Sequence, residues 1–325
     1  MRYKDNKEMK NRYYIIIALL TLVVTSCHRE ELNGGLHEVR FRLFAKEHIS
    51  VSRGYKLLGT QEGDTTLANF TAGLFITTGD NCFHSTMTWN GNTMSAGTGI
   101  ESGDYSFYSY IPYDKEASFA DNTLTLNNIH AIGGMDIMVA NSVVTKEVTS
   151  NVSIPLYMDH LMARVSPYIY VHGKYAAMRT IKIKKVEMVM RHDTLYTAEV
   201  DVDDNDDYSV AWTKGEAAME TTVTTYESET PDTLTINRGE QEYGSCYLCP
   251  AMWTGDLCMR VNYDVYDTED CLTRKDAVVE NQIKRLPDWL TAGTNSRLHI
   301  KIVPTYLYAL SDNDNGTEIL IVETN

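Results

Sequence analysis

The chain has 325 residues, with 44 acidic against 29 basic side chains and a formal net charge of −15. Nucleic-acid binding needs clustered positive charge, and this balance argues against it. The charge favours solubility and carries little further information. In chain order, Arg2, Lys4, Lys7, Lys10 and Arg12 precede an apolar run from Tyr13 to Val24. That run is shorter than the roughly 20 residues a spanning helix needs. With its basic flank it reads as a signal-peptide core.

The run ends LVVTSC, with Thr25 and Ser26 directly before Cys27. This resembles a bacterial lipobox. The resemblance implies cleavage between Ser26 and Cys27 by the lipoprotein signal peptidase, and lipid on the Cys27 thiol. The alternative is an ordinary signal peptide with an incidental cysteine. More than one acyl chain anchors a protein stably to a membrane, so the expected location is the cell outer membrane. HREE, with Glu30 and Glu31, resembles a surface-export signal of Bacteroidetes lipoproteins. The leader of 26 residues carries a net +3, which leaves −18 on the remaining 299.

Beyond the leader, period-two alternation dominates and helical periodicity is scarce. In HEVRFRLFAK, Val39, Phe41, Leu43 and Ala45 share one face, with Arg40, Arg42 and Lys46 opposite. In FHSTMTW the apolar face is Phe83, Ser85, Met87 and Trp89. In YSFYSYIPYD, Tyr105, Phe107 and Ile111 alternate against Tyr108 and Tyr110, so one row fills a core and the other is half exposed. In LCMRVNYDV the apolar face is Leu257, Met259, Val261, Tyr263 and Val265, and Cys258, Arg260, Asn262 and Asp264 face water. RLHIKIV repeats the scheme with Leu298, Ile300 and Ile302. Turns such as Asn90-Gly91 and Asn315-Gly316 separate the runs. The expectation is an all-β chain of two antiparallel β-sandwich domains. The polar stretch VTKEVTSNVSIP sets the boundary, giving a tether over 27–36 and domains over 37–155 and 156–325.

A search for chemistry finds little. GxSxG, HExxH and phosphate-loop patterns are absent, and no cofactor is expected. GTGIESG has one residue too many for a dinucleotide fingerprint. The nine histidines are scattered and read as surface or strand-edge residues. Asp201, Asp203, Asn205 and Asp207 alternate as in a calcium loop, but Asp206 stands where glycine is needed and Trp212 where a glutamate belongs. A charged hairpin turn is the better account. Cys246 and Cys249 with Cys258 and Cys271 have strand-like surroundings rather than zinc knuckles. With Cys82 they leave five thiols, an odd number for an exported chain. A hairpin folded at Trp253 and Thr254 sets Cys249 opposite Cys258. Either a disulfide there or free thiols is open.

Five segments in order resemble the fimbrillin family, the exported lipoprotein pilins of Bacteroidetes. They are VRFRLFAKEHISVSRG, YSFYSYIPYD, GMDIMVANS (Gly134 to Ser142), LYMDHLMARVSPYI (Leu156 to Ile169) and TAGTNSRLHIKI (Thr291 to Ile302). Ser296 and Arg297 depart from the pattern, standing where the family usually has an aromatic.

The resemblance implies transthyretin-like sandwiches and a role in fimbriae, with no enzymatic activity. It implies that a protease cuts between Arg53 and Gly54 and that the strand of Val39, Phe41, Leu43 and Ala45 is lost. C-terminal strands of the next subunit then fill the groove by strand addition. Such head-to-tail contacts grow a filament. The candidate donor is the terminal hairpin over 304–325, with the apolar run Ile319, Leu320, Ile321 and Val322. The alternatives are that this hairpin packs on its own domain, or that the chain is a non-polymerising adhesin or glycan-binding lipoprotein. Expected partners are therefore other fimbrial subunits, the membrane through Cys27, and surface ligands. Asp64-Thr65-Thr66, Asp193-Thr194-Leu195 and Asp232-Thr233-Leu234 resemble a short Bacteroidetes O-glycosylation motif.

Overall fold

The structure is a computed structural model. It describes residues 35–46, 55–58, 71–89, 93–97, 99–113, 115–171, 179–202, 208–234, 239, 241–250, 256–283, 292–293, 295–302, 307–313 and 318–322, the last three segments as backbone only. Within these residues the chain is all strand and turn, with no helix. Strands are numbered in chain order.

The first sheet runs β10 (Met138–Ala140), β12 (Val152–His160), β1 (Val39–Lys46), β5 (Met94–Ser95), β4 (Asn81–Trp89), β3 (Thr71–Thr78), β6 (Gly103–Ile111) and β11 (Val144–Val148). A short β2 (Tyr55–Leu57) pairs β1. Because β10 also pairs β6, the path closes on itself.

The second sheet runs β24 (Glu318–Val322), β23 (Leu307–Asn313), β22 (Asn295–Ile302), β13 (Ala163–Val171), β19 (Cys246–Leu248) and β9 (Ile132–Gly133), with β18 (Gln241–Glu242) on β13. A third joins β17 (Thr221–Leu234), β14 (Thr180–Met190), β20 (Leu257–Tyr266) and β21 (Leu272–Gln282). A fourth joins β16 (Tyr208–Ala217), β15 (Thr194–Val202), β8 (Thr123–His130) and β7 (Ala117–Ala120).

The pairing is antiparallel with two exceptions among the described strands. β1 lies parallel to β12, and β22 lies parallel to β13. Hairpins make antiparallel neighbours, whereas parallel partners need long connections that alternation does not reveal. Position 155 lies inside β12, opposite Arg42 of β1. The chain passes from the first sheet to the second at Leu161 and Met162. The second and fourth sheets each join strands from both sides of that turn. Buried apolar residues from Val39 to Ile283 form one continuous cluster.

The alternation of β1 is seen in its burial, and β12 follows the same scheme from Val152 to Met158. Three expectations need correction. Tyr108 and Tyr110 are 1% and 0% exposed, so both faces of β6 are buried. The fourth sheet covers the second face: Tyr108 stacks on Phe119 at 4.9 Å. Tyr110 lies over Gly73, where a Cβ would come 2.0 Å from its ring. Phe83 is 55% exposed because burial rises along β4 only away from its hairpin turn, reaching 0% at Met87. Cys258 and Asp264 on the expected wet face of β20 are buried. Asp264 is compensated there, accepting the Asp276 amide at 2.7 Å with the Lys184 ammonium at 3.6 Å.

Candidate functional site

The first strand is apolar on one face because the sequence alternates, and that face seats it. Val39, Phe41, Leu43 and Ala45 are all buried, and Phe41 meets the edge of Phe107 at 5.5 Å. Burial of a valine, leucine or phenylalanine contributes roughly 1.5–3 kcal/mol each. The outer face is lighter. Arg40 forks onto Glu38 at 2.8 and 2.9 Å, and Phe44 stacks on Tyr157 at 5.4 Å. The Glu38 carboxyl is held below its usual range by the Arg40 hydrogen bond.

Both edges of β1 are used. On one side Val39 to Ala45 pair with Val152 to Met158 of β12. On the other, β5 takes Arg40 and Phe41, and β2 takes Phe44 to Lys46. Taking β1 out would therefore open the closed path between β12 and β5 and leave β2 without its strand partner. The unpaired amides and carbonyls would accept a new strand.

Ser26, Cys27, Arg53 and Gly54 lie outside the described residues; in sequence, Arg53 falls between β1 and β2. At the other end, β22, β23 and β24 extend the second sheet from β13. Ile319, Leu320, Ile321 and Val322 belong to β24, which among the described strands pairs only β23 and forms the edge. In this single chain the terminal strands thus complete the chain's own sheet.

Between the two ends, three of the quoted segments meet. His160 closes β12 and is 8% exposed, and its Nδ1 is paired with the carboxylate of Asp136, which is 4% exposed. Gly293 adopts φ 73°, donates its amide to Met162 at 2.9 Å, and approaches the His160 ring. A buried carboxylate needs such a close partner, because without one its charge is left uncompensated. His160 is thus neither a surface nor an edge histidine. Its signal lay in the quoted segments themselves, which place Asp136 and His160 without assigning them a role.

The five described cysteines form no disulfide. Cys249 follows β19, and Cys258 sits on β20 in a different sheet, so the expected hairpin does not form. Burial pushes the Cys246 thiol up to about 12. Cys82 and Cys271 are exposed. No group of three metal-ligating side chains occurs among the described residues. The acidic segment 203–207 lies outside them and joins the paired β15 and β16. Asp64 to Thr66 lie outside as well. Thr194 is 5% exposed, so that tripeptide is not available for glycosylation in the folded chain.

A family model described as fimbrillin-like matches residues 46–311. Among solved structures, the chain is 15% identical to a candidate cell adhesion protein of Bacteroides uniformis, covering 84% of this chain and 97% of that one, with a TM-score of 0.44. A second, from Bacteroides ovatus, is 11% identical over 89% and 100%, with a TM-score of 0.47. A fimbrial protein of Bacteroides vulgatus is 11% identical over 84% and 99%, with a TM-score of 0.40. No curated protein matches the chain.

Proposed function

The chain belongs to the fimbrillin-like family, and from that premise we propose that it is a structural subunit, stalk or tip, of a surface fimbria. It is made as a lipoprotein precursor anchored in the outer membrane through Cys27. Cleavage after Arg53 then removes both the anchor and β1, and a neighbouring subunit supplies the replacement strand. The carrying observation is the seat of β1, paired on both edges and apolar on one face. A strand of this kind is separable in sequence and structurally indispensable, so its loss creates a demand that only another strand meets.

Mass spectrometry of the N-terminus of cell-surface material tests this reading. A start at Gly54 supports it. Lipidated Cys27 as the sole surface form counts against it.

One observation favours a second reading. The terminal strands β22 to β24 already pair with the chain's own second sheet. A surface lipoprotein that keeps β1 and acts as a monomeric adhesin fits that arrangement. Heat-stable ladders on a gel after trypsin treatment separate the two, since a monomeric adhesin gives none.

A further inference from the structure

A cavity of about 240 Å³ opens between β8 of the fourth sheet and β9 of the second, beside the turn between β12 and β13. Its walls are largely apolar, with Ile129, Ile132, Ile137 and Met162 among them. Gly133 and Gly134 bring bare backbone to its edge. Among the described lining residues, those that can carry charge are Lys115 and His130, and both are basic. In a chain with 44 acidic and 29 basic residues, a pocket whose described lining holds no carboxylate stands apart.

His130 is held in place from behind. Asp193 has a fully buried side chain, and the His130 Nδ1 donates to its Oδ2 at 2.6 Å. Thr221 donates to the same oxygen at 2.6 Å, and the amides of Ala131 and Thr194 donate to Oδ1 at 3.0 and 2.8 Å. Such a carboxylate fixes the orientation of an imidazole and leaves Nε2 outward, where it donates to an anion when the ring is an imidazolium. The backbone makes this arrangement. Asn128, at φ 56°, is an extra residue in β8 relative to β15, so Leu126 and Ile129 both turn inward. His130 then faces the cavity with its side chain 45% exposed.

We propose that this cavity binds a small apolar carboxylate, its chain against the isoleucines and Met162 and its anionic group between Lys115 and His130. Apolar pockets with a few placed polar groups are the usual form of small-ligand sites. A free acid and the carboxyl end of a peptide share this chemistry.

The test is an amide-resolved NMR titration of the purified protein with hexanoate, hexanamide and N-acetyl-leucine. Hexanoate or N-acetyl-leucine should shift Ala131, Gly133 and Gly134 and bind at least tenfold more tightly than hexanamide. Tighter binding of N-acetyl-leucine assigns the site to chain ends, and tighter binding of hexanoate assigns it to free acids. Lys115→Gln and His130→Gln should each weaken binding about tenfold. Lys115→Gln serves as the readout if His130→Gln lowers the thermal midpoint. Equal binding of hexanoate and hexanamide, undiminished binding in Lys115→Gln, or no shifts at these residues with either acid overturns the proposal.

Discussion

The first and last strands of the described chain differ in what surrounds them. β1 is paired along both edges and buries four side chains. β24 is paired along one edge and ends its sheet. Removing β1 breaks the closed path of the first sheet, whereas removing β24 only shortens the second. The strand nearest the chain start is thus the keystone, and the strand nearest the chain end is the addition. A subunit that exchanges strands needs this asymmetry: one position that must be filled and one strand that can leave cheaply. The two parallel pairings sharpen the contrast. β1 against β12 and β22 against β13 put the strands near both ends of the chain beside two consecutive strands, β12 and β13.

The largest expected effect tests the keystone. Phe41→Asp buries a charge without a partner, and we expect a loss of more than about 4 kcal/mol in urea unfolding. Truncation before Glu318 should move the thermal midpoint by no more than a few degrees. An equal loss from both changes breaks the comparison.

Asp136→Ala leaves His160 buried without its carboxylate, at an expected cost of about 3 kcal/mol or more in the same assay. Gly73→Val forces Tyr110 from its place on the face of β6 opposite Phe107, costing about 1–3 kcal/mol. Its effect should persist in a chain lacking 318–325, since it acts between the first and fourth sheets and not on β24.

Native thiol labelling is a finer probe. Cys82 and Cys271 should react, while Cys246 and Cys249 should stay protected until unfolding. Release of β1 should leave Cys246 protected if the second sheet is undisturbed.

The smallest effect concerns pH. Burial depresses His84, whose ring stacks on Phe75 at 4.3 Å in the first sheet. The unfolded chain therefore takes up the proton first, so stability is intact above about pH 6.5 and declines below it, until the folded imidazole also titrates. His84→Gln should flatten that decline by a fraction of a kcal/mol.

Alternation made β1 and β20 legible in the sequence, because a sheet with one buried face repeats every two residues; the start of β12 instead read as a polar domain boundary. It could not show that β6 is covered twice. Tyr108 and Tyr110 carry hydroxyls that suit a wet face, yet Tyr108 is covered by Phe119 from another sheet and Tyr110 packs on Gly73 and Phe75. Asp264 was misjudged for a similar reason, since its partners come from Asp276 at a bulge and Lys184 on a neighbouring strand. The pairing of Asp136 with His160 spans 24 positions and was invisible as spacing. Composition likewise hid the basic cavity, since Lys115 and His130 line one pocket only once β7 pairs with β8.

The central claim is that the seat of β1 is refilled by the end of a neighbouring chain. Its most direct test is polymerisation of purified, processed protein beginning at Gly54, with and without residues 304–325, on an unboiled denaturing gel. The account predicts ladders from the full C-terminus and monomers from the truncated chain. Ladders of equal extent from both would contradict it.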